Sequence, residues 1–374
     1  MQLFFKVILV GIFSINYFSV GAQKTDTLKY SDASSLTMVG KIAATQNIYH
    51  RLDTSLYPGF PAAVKKLLTN SAGLAISFKT NSTVIAAKWC VSKARPASNL
   101  NPIADKGLDI YIKRNGKWQF AGVGRPTAEC NRSIMVENMD NEEKECLVYL
   151  PLYDELISLE IGITPGASIT LLSSPFTKRV LIYGSSIVQG ASASRPGLAY
   201  PAQLSRATGL NFLNMGLSAS AKMEKEVADA VAATPAEAYI LDCVPNSSPE
   251  QIKERTVYLV EQIRKTQSTA PIIIMQSIIR EHGYFNKKVG ERVKQQNIEI
   301  KKQFEVLQKK GIKNLYFIPA DNLTGHDHEA SADGIHPTDL GFYRMVQEMQ
   351  PVLIKIFQAH GLLNKNEQVI DATY

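Results

Sequence analysis

Four short segments of this sequence hold residue types that together can run acyl transfer. Tyr183–Gly190 reads YGSSIVQG and offers two adjacent hydroxyls, Ser185 and Ser186. Ala332–Asp339 reads ADGIHPTD and sets Asp333 three residues ahead of His336. A serine hydroxyl is a poor nucleophile until a base removes its proton, and histidine is the usual base near neutral pH. A carboxylate on the other imidazole nitrogen fixes the tautomer and stabilises the imidazolium. Asn214–Ser220, NMGLSAS, supplies Gly216, and Asp242–Ser248, DCVPNSS, supplies Asn246. Backbone N–H groups of Ser186 and Gly216 and the amide of Asn246 are the kind of donors that stabilise a tetrahedral oxyanion. Each segment taken alone is also ordinary turn chemistry; their order and placement carry the reading.

These residues meet only if the chain folds them to one edge. From Lys178 onward, short apolar runs alternate with helical stretches. RVLIYG, NFLNMG, AYILDC, PIIIMQS and NLYFIPA predict strands. Helices are predicted around Tyr200–Ala207, Lys222–Ala233, Glu250–Lys265, Glu291–Lys310 and after Pro337, with Pro351 breaking or kinking the last. Such alternation predicts a parallel sheet covered on both sides, a three-layer α/β/α architecture. Ligands gather at the carboxyl ends of the strands in such sheets. Ser185 and Ser186 follow the first run, Gly216 the second and Asn246 the third. Asp333 and His336 stand before the final helix.

The first half has another rhythm. GLAISFKT, STVIAAKWC, LDIYIKR, KWQFAGV and SLEIGI are rich in strand formers. SLEIGI alternates apolar and small or polar residues, the pattern of a half-buried strand. Asn115-Gly116 joins two of these runs as a hairpin turn. Several short strands with turns between them predict a β-sandwich. Trp89 and Trp118 both lie here; core or edge packing is the simpler role, a sugar-binding face the alternative.

The first 22 residues read as a secretory signal, with Lys6 ahead of an apolar stretch and Val20-Gly21-Ala22 as a small-residue cleavage pattern. Export to the periplasm or the extracellular space follows, with no stable membrane anchor. The formal net charge of +7 is scattered. Its densest cluster, Lys301–Lys310, is best read as a solvated helix face, so no nucleic-acid partner is expected. Four cysteines occur, Cys90, Cys130, Cys146 and Cys243. Cys130 and Cys146 flank a polar loop and are candidates to pair; Cys243 reads as a free core thiol. His326, Asp327, His328, Asp333 and His336 permit a metal reading. That reading leaves Ser186, Gly216 and Asn246 without a role, so no metal or organic cofactor is expected. His282 reads as a loop histidine, with Arg280 and Tyr284 near the pocket.

The segments YGSSIVQG, NMGLSA, DCVPN and DGIHP resemble the four signature blocks of the SGNH (GDSL-like) hydrolase superfamily. The resemblance implies a flavodoxin-like domain over 177–363, followed by a tail, 364–374. It implies Ser186 as nucleophile, His336 and Asp333 as its partners, and Ser186, Gly216 and Asn246 as the oxyanion hole. GLDIY (Gly107–Tyr111) and VYLPLY (Val148–Tyr153) resemble marks of a bacterial subgroup in which a jelly-roll-like sandwich, here 23–176, precedes that domain. Two departures stand out. Ser185 replaces the usual Asp of the first block and so rivals Ser186, and the third block is a variant around Asn246. The implied reaction is hydrolysis of small acyl esters, acetyl esters on carbohydrates foremost. Transfer of the acyl group to another acceptor, or glycan binding without catalysis, are the alternatives.

Overall fold

A computed structural model describes residues 27–93 and 98–364. The expected signal segment, its cut after Ala22, and the tail beyond 364 lie outside the described residues. The first half holds strands β1 (Lys29–Asp32), β2 (Thr37–Val39), β3 (Ala75–Thr80), β4 (Ile85–Val91), β5 (Leu108–Arg114), β6 (Lys117–Gly124), β7 (Cys130–Val136), β8 (Lys144–Tyr149), β9 (Leu156–Ile163) and β10 (Ile169–Leu171). They form two antiparallel sheets, ordered β1-β9-β4-β7 and β10-β3-β8-β5-β6, with β2 added to β3. Ile76, Phe78, Ala87, Trp89, Ile110, Val148 and Ile161 point between the sheets and make the sandwich core. Trp89 is 1% exposed and its Nε1 donates to Lys106 O, so it is a core residue and not a sugar platform.

The second half holds strands β11 (Thr177–Gly184), β12 (Leu210–Gly216), β13 (Ala238–Asp242), β14 (Ile272–Met275) and β15 (Leu315–Ile318). All are parallel, in the order β12-β11-β13-β14-β15. This is the flavodoxin-like order, and its switch point falls beside β11. Alternate residues face opposite layers. Val180 and Ile182 pack on Tyr200, Leu204, Phe342 and Phe357; Leu181 and Tyr183 pack on Val227, Leu259 and Leu307. Burying each such side chain stabilises by roughly 1.5–3 kcal/mol. Part of the first half joins this second core: Ile42, Leu52, Phe60, Val64 and Leu68 lie against Leu213 and Met215. These come from the chain around helix α1 (Ala62–Leu68); helix α2 (Pro102–Lys106) leads into β5.

The remaining helices are α3 (Ser186–Gln189), α4 (Tyr200–Thr208), α5 (Lys225–Ala233), α6 (Pro249–Thr266), α7 (Lys287–Lys309) and α8 (Asp339–Ala359). Of the two expected outcomes at Pro351, a break or a kink, the break does not occur: α8 runs on through it. Pro351 sits on the exposed side, where the Gln347 carbonyl loses its donor toward solvent, while Met345, Met349, Leu353 and Phe357 hold the other face in the core.

The GLDIY segment clamps the two halves together. Asp109 is fully buried and accepts Arg195 Nη1 at 2.7 Å and Gly197 N–H at 3.0 and 3.1 Å. Arg206 lies 4.0 Å over the Tyr111 ring. The cysteine expectation needs correction: the disulfide joins Cys90 and Cys130, not Cys130 and Cys146. Cys90 and Cys130 face each other across the β4–β7 ladder, whereas Cys146 lies in the other sheet, buried and free. Cys243 is also free and buried.

Candidate active site

β11 runs into α3 through a sharp turn. Ser185 caps that helix: its Oγ accepts the N–H of Ile187 at 3.2 Å. A hydroxyl spent on a cap and buried at 0% exposure is poorly placed to react. Ser186 is the first helical residue, and its N–H has no partner among the described residues. Ser186 Oγ lies 2.9 Å from His336 Nε2, and His336 Nδ1 lies 2.7 Å from Asp333 Oδ2. Three side chains from two ends of the domain thus form one hydrogen-bonded line.

The loop that carries Asp333 and His336 is built by its own bonds. Asp333 Oδ1 accepts the N–H groups of Ile335 at 2.9 Å and His336 at 2.8 Å. Ala332 N–H closes the loop on His336 O at 2.9 Å. Partial burial pushes the Asp333 pKa up, but those two N–H groups and the His336 ring outweigh it and hold it at about 2. The carboxylate is therefore ionised wherever the imidazole needs it.

The oxyanion side differs from expectation at one residue. Gly216 N–H donates to Asn214 Oδ1 at 2.9 Å inside β12, so it is not free for a substrate. Gly216 is required for another reason: a Cβ there would stand 2.2 Å from Gln189 N, and only glycine lets β12 approach α3. The turn that follows offers a different donor. Leu217 N–H bonds Gly184 O, Ser218 N–H bonds Gln189 Oε1, and Ala219 N–H has no partner among the described residues. Ala219 holds φ at +57°, a left-handed conformation that suits glycine or asparagine better than alanine. The run of small residues Ser218–Ala221 was the sequence signal for this turn. Asn246 Nδ2 donates to Leu217 O at 3.2 Å, tying the third-block loop to the same turn. Its second amide hydrogen has no partner among the described residues.

Sequence reasoning gave no role of their own to Arg51 and Tyr153, which lie behind this turn. Arg51 is fully buried and donates to Asn214 O at 3.0 Å, Gly216 O at 2.8 Å, Asn70 O at 3.0 Å and Leu67 O at 2.6 Å. Burial lowers its pKa to about 9, which still leaves the guanidinium charged at neutral pH. Tyr153 of the VYLPLY segment donates its hydroxyl to Ser186 O at 3.2 Å. Arg280 Nη2 donates to Pro245 O at 2.7 Å, and His282 Nδ1 lies 2.9 Å from Gly334 O. Their loop therefore spans from the Asn246 turn to the Asp333 turn. The metal reading scatters: Asp327 pairs with Arg344 at 2.5 Å, His328 with Glu281 at 2.9 Å, and His326 contacts Asn322 at 3.0 Å.

Asp242, at the end of β13, is fully enclosed. Burial raises its pKa to about 7, against the Tyr200 hydroxyl that donates to it at 2.9 Å. Between about pH 4 and 7 the folded chain holds this proton and the unfolded chain does not. This term therefore favours folding most at low pH and is lost as pH rises through 7, by roughly 4 kcal/mol at the outside. Asp242→Asn is expected to raise the unfolding temperature at pH 8 and to flatten its dependence on pH between 5 and 8. Thermal melts across that range test it; an unchanged slope contradicts it.

A flavodoxin-like sheet with a serine, a histidine and an aspartate in line at its carboxyl edge defines the SGNH class of serine ester hydrolase. The comparisons agree. Residues 177–354 match the GDSL-like Lipase/Acylhydrolase family, and residues 28–169 match the N-terminus of Esterase_SGNH_hydro-type proteins, GxDLY. The chain is 55% identical to a protein from Bacteroides ovatus described as a GDSL-like lipase, over 88% of this chain and 98% of that one, with a TM-score of 0.87. The protein belongs to the GDSL-like lipase/acylhydrolase family. A salicylyl-acyltransferase from a tetracycline biosynthetic pathway shares the fold at 19% identity, with a TM-score of 0.71 and coverage of 88% and 99%. An acetyl xylan esterase from Butyrivibrio proteoclasticus does so at 10% identity, with a TM-score of 0.54 and coverage of 89% and 98%. No curated protein matches.

Proposed function

We propose that this protein is an exported esterase that removes small acyl groups, acetyl foremost, from carbohydrate esters through an acyl-Ser186 intermediate. The line from Ser186 Oγ through His336 to Asp333 carries the reading. Ser186 Oγ attacks the ester carbonyl and gives its proton to His336 Nε2. The carbonyl π electrons move to oxygen, which the N–H groups of Ser186 and Ala219 and the Asn246 amide receive. Collapse breaks the bond to the alcohol oxygen, which takes the proton from His336 and leaves. Water, deprotonated by His336, then releases the acid and restores Ser186.

A hydroxylated leaving group is supported by the cleft of about 600 Å³ beside Asp333, lined by Ser98, Asn99, Leu100, Asn101 and Ala332. Four of its six lining residues are polar, which suits a sugar better than a long acyl chain. Export is supported by the Cys90–Cys130 disulfide, a bond that persists in oxidising compartments. No helix among the described residues is long and apolar enough to cross a membrane.

Incubation with acetylated glycans and with p-nitrophenyl acetate tests the reading. No acetate from either near neutral pH overturns it. Removing one oxyanion donor by Asn246→Ala is expected to lower kcat by about 100- to 1000-fold with KM little changed. Steady-state kinetics on p-nitrophenyl acetate check this, and a loss under fivefold excludes Asn246 from the hole.

A further inference from the structure

We infer that Asn99, a residue of the first half, is a positioning residue for the Asp333–His336 pair. Asn99 Nδ2 lies 3.1 Å from Asp333 Oδ2 and 3.1 Å from His336 Nδ1. His336 Nδ1 carries the proton that it donates to Asp333, so it has no lone pair to offer. The amide N–H therefore donates to the carboxylate. The opposite amide orientation sets oxygen against oxygen and is excluded on charge.

Asn99 is held for this contact from both sides. Ser192, in the turn after α3, donates its Oγ to Asn99 O at 3.0 Å. Two residues on, Asn101 caps α2 by accepting the N–H of Ile103 at 2.9 Å, which anchors this stretch to the sandwich half. Asp333 then receives four donors: two backbone N–H groups on Oδ1, and His336 Nδ1–H with Asn99 Nδ2–H on Oδ2. Three of the four come from its own loop. The fourth fixes that loop relative to the first half of the chain, and Asn99 and Asp333 both line the cleft beside it.

This gives the sandwich a part in the chemistry. Its clamp through Asp109 sets the two halves together, and Asn99 passes that placement to the base. The inference rests on the acyl-serine reading above, so its test has one arm that needs no turnover. His282 sits on Gly334 O, Glu281 pairs with His328, Arg280 bonds Pro245 O, and Asp339 accepts Ser194 N–H at 2.8 Å. No acid besides Asp333 is hydrogen-bonded to the imidazole among the described residues.

Full-length protein with Asn99→Ala or Asn99→Asp is compared with wild type, with Ser186→Ala as the blank. Asn99→Ala is expected to lower kcat on p-nitrophenyl acetate by about tenfold with KM within twofold, the loss of one bond to a charged acceptor. Asn99→Asp sets a second carboxylate beside Asp333 and moves the acidic limb of kcat/KM up by about one pH unit. The low-field proton resonance of the His336–Asp333 bond is expected to shift or broaden in both variants while melting temperature holds. A kcat within twofold, an unmoved acidic limb and an unchanged resonance overturn the inference. Wild type no faster than the Ser186→Ala blank overturns the hydrolase reading instead, and the resonance still decides the role of Asn99.

Discussion

Ser186→Ala is expected to lower kcat by roughly 10⁴-fold or more while the fold survives. Its neighbour Ser185→Ala is expected to keep activity within a few-fold. The contrast follows from what each hydroxyl touches. Ser186 Oγ meets the His336 base at 2.9 Å; Ser185 Oγ is occupied by Ile187 N–H. Losing the Ser186 hydroxyl removes the nucleophile and leaves the donors in place. Losing the Ser185 hydroxyl removes a helix cap, at about 1 kcal/mol of stability. Kinetics on p-nitrophenyl acetate and a thermal melt of each variant separate the two effects. If Ser185→Ala is the dead variant and Ser186→Ala the active one, the nucleophile is misassigned.

Asp333→Asn has the second-largest expected effect, also about 10⁴-fold in kcat. The loop fixes the direction of the new amide. Its oxygen must take the Oδ1 place, because the N–H groups of Ile335 and His336 point there. The NH₂ group then faces His336 Nδ1 and makes that nitrogen an acceptor. The imidazole proton moves to Nε2, and the nitrogen that faces Ser186 can no longer take a proton. The same NH₂ also meets the Asn99 amide donor to donor. Activity at neutral pH is the measurement, with circular dichroism as the check on folding. A loss smaller than tenfold contradicts the assigned role of Asp333.

Much of this was legible in the sequence because it is local. The alternation of apolar runs and helices after Lys178 gives the five parallel strands, and the residues after each run fall at the sheet edge as expected. The proposal that Ser186, Asp333 and His336 act together starts from the sequence, because Ser186 follows β11 and the Asp333–His336 loop precedes α8. The misses are non-local. Cys130 pairs with Cys90 because β4 and β7 are neighbours in the folded sheet, which spacing along the chain does not reveal. Gly216 is a close-packing glycine, and the free N–H lies three residues on at Ala219, because Asn214 turns its side chain back on the strand. Pro351 is tolerated because packing on one face of α8 outweighs a lost bond on the other. Arg51 and Asn99 carried no motif at all. Their importance comes from distant partners: the end of β12 for Arg51, and the Asp333 loop for Asn99.

The most direct test of the central claim is covalent trapping. The full-length protein is treated with a fluorophosphonate, digested and mapped by mass spectrometry. The account predicts one adduct, on Ser186, that forms in wild type and in Ser185→Ala and is absent from Ser186→Ala. An adduct on Ser185, or hydrolysis of p-nitrophenyl acetate that continues while Ser186 stays unlabelled, contradicts it.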